Sequence, residues 1–260
     1  DVSSSIAMII SPAIGGFFAA LFGIKFVFLL SFLSYLISTS FIFLIEEDRN
    51  IYRNFSNVEN GMNSKWEKKI RPMQDYLPLL QDKKFLRICM LFSLVFLSIY
   101  ISHPFVPIYI YDVYKMPMSL IGVLGTASAL GGVAISLLFS RIADRINKYR
   151  AIAFLLLISF ISTLMLILSA NFTILLFTFF LSGSAFSFYG IMSGLVVTKV
   201  SKQNSGKAFA VLETVTGIPV IIAPIIGSIL YSYAPILPIL ATIIISLIVI
   251  LILFFIPFLD

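Results

Sequence analysis

A chain of 260 residues that is 60% hydrophobic and only 12% charged is excluded from ordinary water-soluble folds, because soluble domains carry about 25% charged residues and surplus apolar surface drives aggregation. One Cys and one His leave no material for a disulfide framework or a His-based metal site. The net charge of +6 would suit nucleic acid by itself, but its placement along the chain decides against that partner.

Eight apolar segments follow one another at roughly 3–22, 26–45, 88–111, 118–140, 151–170, 172–197, 208–231 and 236–257. Each approaches or exceeds the ~20 residues that carry a helix across a bilayer, and none shows the strict alternation of a transmembrane strand. The fold class is therefore an all-α integral membrane protein of eight transmembrane helices. The links "GIK", "AN" and "YAP" are short enough to make neighbouring helices antiparallel.

The first segment carries "SPAIGG" at 11–16, and it opens on Asp1 without an initiator Met, as in a portion of a larger protein. Between the second and third segments, residues 46–87 hold nine Lys/Arg and seven Asp/Glu. This stretch reads as a solvated linker, either a flexible tether or one that includes an interfacial helix at "WEKKIRPM" anchored by Trp66. Cys89 lies in the apolar run of the third segment. That segment ends in "YISHPFVPIY", where Pro104 and Pro107 break the helix and free carbonyls that a cavity or neighbour must satisfy. His103 within it is either a proton- or substrate-binding group or an interfacial, hydrogen-bonded side chain.

The fourth and fifth segments are joined by "SRIADRINKYR" (140–150), in which Asp144 sits among Arg141, Arg145, Lys148 and Arg150. An unpaired Asp at a membrane boundary is costly. It is stabilised either by a helix N-terminus, whose free N–H groups and dipole attract anions, or by Arg145 or Arg141 in water. The sixth segment contains "SGSAFSFYGIMSG". Ser184, Ser187 and Tyr189 either face a cavity or belong to a small-residue surface for close helix packing. The seventh carries Glu213, six residues past Lys207 and therefore ~9 Å into its helix.

Sixteen of the 18 Lys/Arg fall in 46–87, 141–150 and 198–207; the others are Lys25 and Lys115. Each rich loop is two crossings from the next, so all three share one face, which the positive-inside rule makes cytoplasmic. This placement accounts for the basic balance without nucleic acid and puts the chain in the plasma membrane as a multi-pass protein.

The chain also repeats. Shifted by 212 residues, "DVSSSIAMIISPAIGG" (1–16) falls on "ETVTGIPVIIAPIIGS" (213–228). Pro12 meets Pro224, Gly15 meets Gly227 and Asp1 meets Glu213, with Gly16 beside the motif. Internal repeats mark secondary transporters. The repeat predicts three units: 1–45 as the last two helices of one six-helix half, 46–87 as the cytoplasmic linker, and 88–260 as the second six-helix half. Four further helices of the same protein are then expected as a partner.

On these residues the chain resembles the major facilitator superfamily. The 140–150 stretch is similar to that family's loop motif G-x-L-A-D-R-x-G-R-K-R: Ala143, Asp144, Arg145 and Arg150 match, Ile142 and Lys148 are conservative, and Ser140, Asn147 and Tyr149 depart. "SPAIGG" resembles the G-P-x-x-G-G motif of helix five, with Ser11 at the first Gly, so the chain resembles helices five to twelve. The resemblance implies a bilayer-embedded secondary transporter that moves a small-molecule substrate by alternating access, with protons as a candidate coupling ion. It also implies that Asp144 latches the cytoplasmic start of the first segment, where Ser3, Ser4 and Ser5 supply further donors. The resemblance implies a cavity lined by the third segment. The repeat then sets Asp1 beside Arg141 or Arg145, and Glu213 beside the equivalent loop of the other half as an inter-half gate. A proton carrier and a snorkelling, solvated side chain are the alternatives for Glu213.

Nothing points to an enzyme: the sequence has no Ser/His/Asp set, no metal-ligand cluster and no G-x-x-x-x-G-K-S/T phosphate loop. No cofactor is expected. A channel and a non-transporting scaffold or receptor of the same fold stay as the rival readings.

Overall fold

A computed structural model describes residues 2–42, 76–143, 145–200 and 204–255. The segment "WEKKIRPM", Asp1 and Asp144 lie outside those residues. Among the described residues the chain is helical throughout. The helices are α1 (Val2–Phe22), α2 (Ile24–Ile42), α3 (Leu77–Gln81), α4 (Lys83–Tyr100), α5 (Val106–Asp112), α6 (Met118–Ala143), α7 (Lys148–Leu168), α8 (Phe172–Ser182), α9 (Ser187–Lys199), α10 (Ser205–Tyr233) and α11 (Leu237–Phe255).

Six helical stretches are long and apolar enough to cross a membrane. The other two of the eight expected crossings are α1, whose described apolar run is Ile6–Phe22, and the broken pair α4–α5. The third crossing begins at Lys83 rather than 88, because Asp82 caps it by accepting from the Lys84 amide at 2.9 Å. Asn147 and Asn171 cap α7 and α8 in the same way. Gly23, at φ +83°, makes the turn between α1 and α2 that a side chain would resist. The "SGSAF" stretch produces a tighter turn of 3-10 helix at Gly183–Phe186, so the sixth crossing is α8 and α9 with a joint between them.

α1 packs chiefly on α6, α4 on α10, α6 on α8, and α7 on α11. α6 meets α8 most closely at Gly131, where a Cβ would run into the Phe180 backbone, and α1 also approaches α6 tightly: a Cβ placed on Gly16 would lie 2.7 Å from the Gly122 Cα, and one on Gly122 would lie 2.5 Å from the Pro12 carbonyl oxygen. Only glycine lets these backbones meet. From Phe28 to Phe41 every side chain of α2 is exposed, as on a helix facing hydrocarbon.

Two apolar clusters fill the rest. The inner one gathers Phe92, Val95, Leu155, Phe188, Val196 and Leu212 with their neighbours. The outer one is smaller and gathers Tyr109, Ile110, Leu124, Leu166, Leu175 and Ile239.

Candidate functional site

Helix α4 stops where Pro104 and Pro107 deny amide donors to the carbonyls of Tyr100 and His103. Residues 101–105 turn instead, with Phe105 N and Val106 N both bonding the Ser102 carbonyl at 2.8 and 3.1 Å. Helix α10 presses on the break through Gly227, where a Cβ would lie 2.2 Å from the Ile101 carbonyl oxygen. Phe105 stacks on Tyr231 with ring centroids 5.5 Å apart, and the Tyr231 hydroxyl donates to Asp112 at 3.1 Å.

Beside the break lies a cavity of about 270 Å³, walled by α6, α7, α8 and α11 as well as the break itself. It sits between the two apolar clusters, at the level of Ser102, His103, Ser128, Ser162, Thr178 and Thr242. His103 is exposed, with its ring 5.9 Å from that of Tyr100.

Where α6 gives way to α7, Arg141, Arg145 and Arg150 are exposed. Lys148 turns back and donates to the Gly194 carbonyl at 2.7 Å, tying the start of α7 to α9. A recess of about 310 Å³ opens there between α6, α7 and α9, and Ser187 lines it, hydrogen-bonded to Ser136 at 2.8 Å. Ser184 is wholly buried and its hydroxyl has no hydrogen-bond partner among the described residues. Tyr189 is exposed, and its hydroxyl donates to Glu213 at 2.5 Å. Sequence reasoning singled out both residues but did not pair them, since they stand 24 positions apart on different helices.

Ser3, Ser4 and Ser5 fall in the first turn of α1. Extending the antiparallel register of Gly16 on Gly122 and Pro12 on Gly125 puts them opposite about residues 132–135 of α6, ~9–14 Å short of Arg141 at 1.5 Å per residue. Of the helix-packing residues, Gly16 and Pro12 meet α6, Gly227 meets the break, Pro224 is half-buried inside α10, and Gly15 has open space beside it. Among the described residues no group of His, Cys, Asp and Glu is placed to hold a metal.

A family model described as Major Facilitator Superfamily matches residues 88–259. That span begins within α4 and runs through the α5–α11 set. No curated protein matches the chain.

Proposed function

We propose, since this chain belongs to the major facilitator superfamily, that it is the helix-five-to-twelve part of a secondary transporter of the plasma membrane that carries a small solute by alternating access. The observation that carries the reading is the broken α4–α5 crossing with a polar cavity at its side. Irregular backbone at membrane depth is tolerated where it borders protein or a cavity, and broken helices commonly flank transporter sites. The unit boundaries 1–45, 46–87 and 88–260 belong to the same proposal. So do the four further helices, for which the repeat supplies an argument. Gly227 is pressed against the α4 break, while its repeat mate Gly15 faces open space, which is where the first helix of the other half would pack.

Within this reading Glu213 is the cytoplasmic gate residue, oriented by Tyr189, and it pairs with a cation of the other half's loop. Asp144 keeps its latch role toward the cytoplasmic start of the first helix, while the register of α1 on α6 leaves Ser3–Ser5 short of the 141–150 loop. Protons remain the coupling ion to test. The experiment is a substrate screen of the full-length protein in proteoliposomes, with and without an imposed proton gradient. Gradient-dependent accumulation of one solute supports the proposal. A conductance that does not saturate, or no flux of any solute class, favours the channel or the scaffold.

A further inference from the structure

The cavity beside the helix break is lined by eight hydroxyls, five of which have committed their hydrogens elsewhere. A hydroxyl has a single hydrogen to donate and two lone pairs to accept with. Thr163 spends its hydrogen on the Ser159 carbonyl at 2.9 Å. Thr178 spends its own on Ile174 at 2.9 Å, and Ser162 its own on Thr178 O at 2.8 Å. Ser182 donates to the Phe179 carbonyl at 2.7 Å, so in its 3.1 Å contact with Ser128 the hydrogen must come from Ser128. All five residues line the cavity. Their oxygens have lone pairs to offer it and no hydrogens, while the lining hydroxyls of Ser102, Ser159 and Thr242 are not committed in this way among the described residues. The proline break adds the carbonyl of His103, which Pro107 leaves without an amide donor one turn on.

A second observation is independent of these. Thr242 is 5% exposed, lines the same cavity, and its hydroxyl has no partner. Helical threonines at membrane depth ordinarily bond the carbonyl one turn back, as Thr163, Thr178 and Thr216 do here. A buried, unsatisfied hydroxyl is costly, and it lies where two apolar clusters would otherwise join across the bundle.

We infer that this cavity is a binding site for a small primary alkylammonium group, held inside the bundle of α4 to α11 rather than between bundles. An acceptor-rich wall selects a ligand that donates, and R–NH3+ has three donors and no acceptor. The lining includes no Asp, Glu, Lys or Arg. No side chain of fixed positive charge stands there to repel a cation. A cavity of about 270 Å³ suits a small organic molecule better than a lone metal ion, which would leave most of it empty. The faces of Phe179 and Phe186, also in the lining, are attractive to an ammonium and to its alkyl carbons. Every lining residue comes from the stretch 99–242 and none from α1 or α2. Binding here does not depend on the transport reading and is measured without flux.

The test is calorimetric titration of the full chain in lipid nanodiscs with propylammonium, tetramethylammonium, propanol and propionate. We expect saturable binding of one propylammonium per chain, at least about tenfold weaker binding of tetramethylammonium, which has the charge but no N–H, and none of propionate. Thr163→Val keeps the side chain's shape and removes an acceptor whose own bond lies within one helix; it should weaken propylammonium about tenfold with the melting temperature unchanged. Thr242→Val should raise the melting temperature of the free protein and still weaken propylammonium. The inference is overturned by no propylammonium binding, by equal binding of tetramethylammonium or propanol, or by unchanged affinity in both variants. A Thr242→Val variant that gains stability while Thr163→Val and Thr242→Val bind as before would leave these hydroxyls as packing only.

Discussion

The Tyr189 hydroxyl and the Glu213 carboxylate are joined at 2.5 Å across two helices, on side chains that are both exposed. The bond holds one oxygen of the carboxylate and leaves the other open to a further partner. This arrangement lets two substitutions separate what the pair does. Glu213→Gln keeps an acceptor for the tyrosine and removes the charge; Tyr189→Phe keeps the charge and removes its orientation.

In the full-length protein, Glu213→Gln is expected to shift the inward/outward balance several-fold while some proton-driven uptake survives, consistent with charge–helix and ion-pair contacts of ~0.3–2 kcal/mol. Tyr189→Phe should shift it in the same direction by less. The balance is read by alkylation of single cysteines on each face. Exchange without any gradient-driven accumulation in Glu213→Gln, at an unchanged balance, would assign the residue to proton carriage instead.

Gly16→Ala should loosen α1 from α6. Its methyl would fall 2.7 Å from Gly122 Cα and 2.8 Å from the Met118 carbonyl oxygen, both of them backbone atoms. Overpacking of this kind costs about 1–3 kcal/mol. Gly15→Ala meets nothing within 4 Å in this chain and should leave its thermal unfolding unchanged. In the protein with all its helices, the repeat makes Gly15→Ala costly as well. Unfolding in detergent, followed by intrinsic fluorescence, compares the two variants.

Lys148→Met should weaken the joint between α7 and α9 by removing the bond to the Gly194 carbonyl. The loss is about 1 kcal/mol, since a partly buried charged donor is replaced by an apolar chain of similar length. Single cysteines in the neighbouring recess, at Ser140 or Gly190, should then alkylate faster. An unchanged rate would mean that the bond does not hold the recess shut.

The orientation is checked by labelling from outside the cell. A cysteine at Asn171 should react and one at Ser205 should not. The reverse pattern would invert the whole topology.

How far these features could be read in advance depends on their range. The apolar segments, their order and the break at Pro104 and Pro107 are local properties of hydropathy and backbone chemistry, and the described helices follow them closely. The start of the third crossing was less legible because Lys83, Lys84 and Arg87 mask a helix that Asp82 caps before the apolar run begins. The 3-10 joint at Gly183–Phe186 has no proline to announce it. Ser184 and Ser187 looked alike in sequence, yet one is sealed in the core and the other lines a recess. Three residues are not a full helical turn, so nothing in the pattern distinguished them. The spent hydrogens of Ser128 and Ser162 emerge only when α6, α7 and α8 are brought together.

The break at 101–105 also divides the third crossing between two partners. The buried side chains of α4, from Phe85 to Val95, belong to the inner cluster, whereas Tyr109 and Ile110 of α5 belong to the outer one. One stretch of covalent chain is thus anchored at each end in a different apolar body, with an unwound joint between them. Such a linkage transmits position but little torque. The seven residues of α5 can pivot with the outer body while α4 stays seated, and a signal arriving at one end of this crossing reaches the other as a change of angle rather than as a push along the axis.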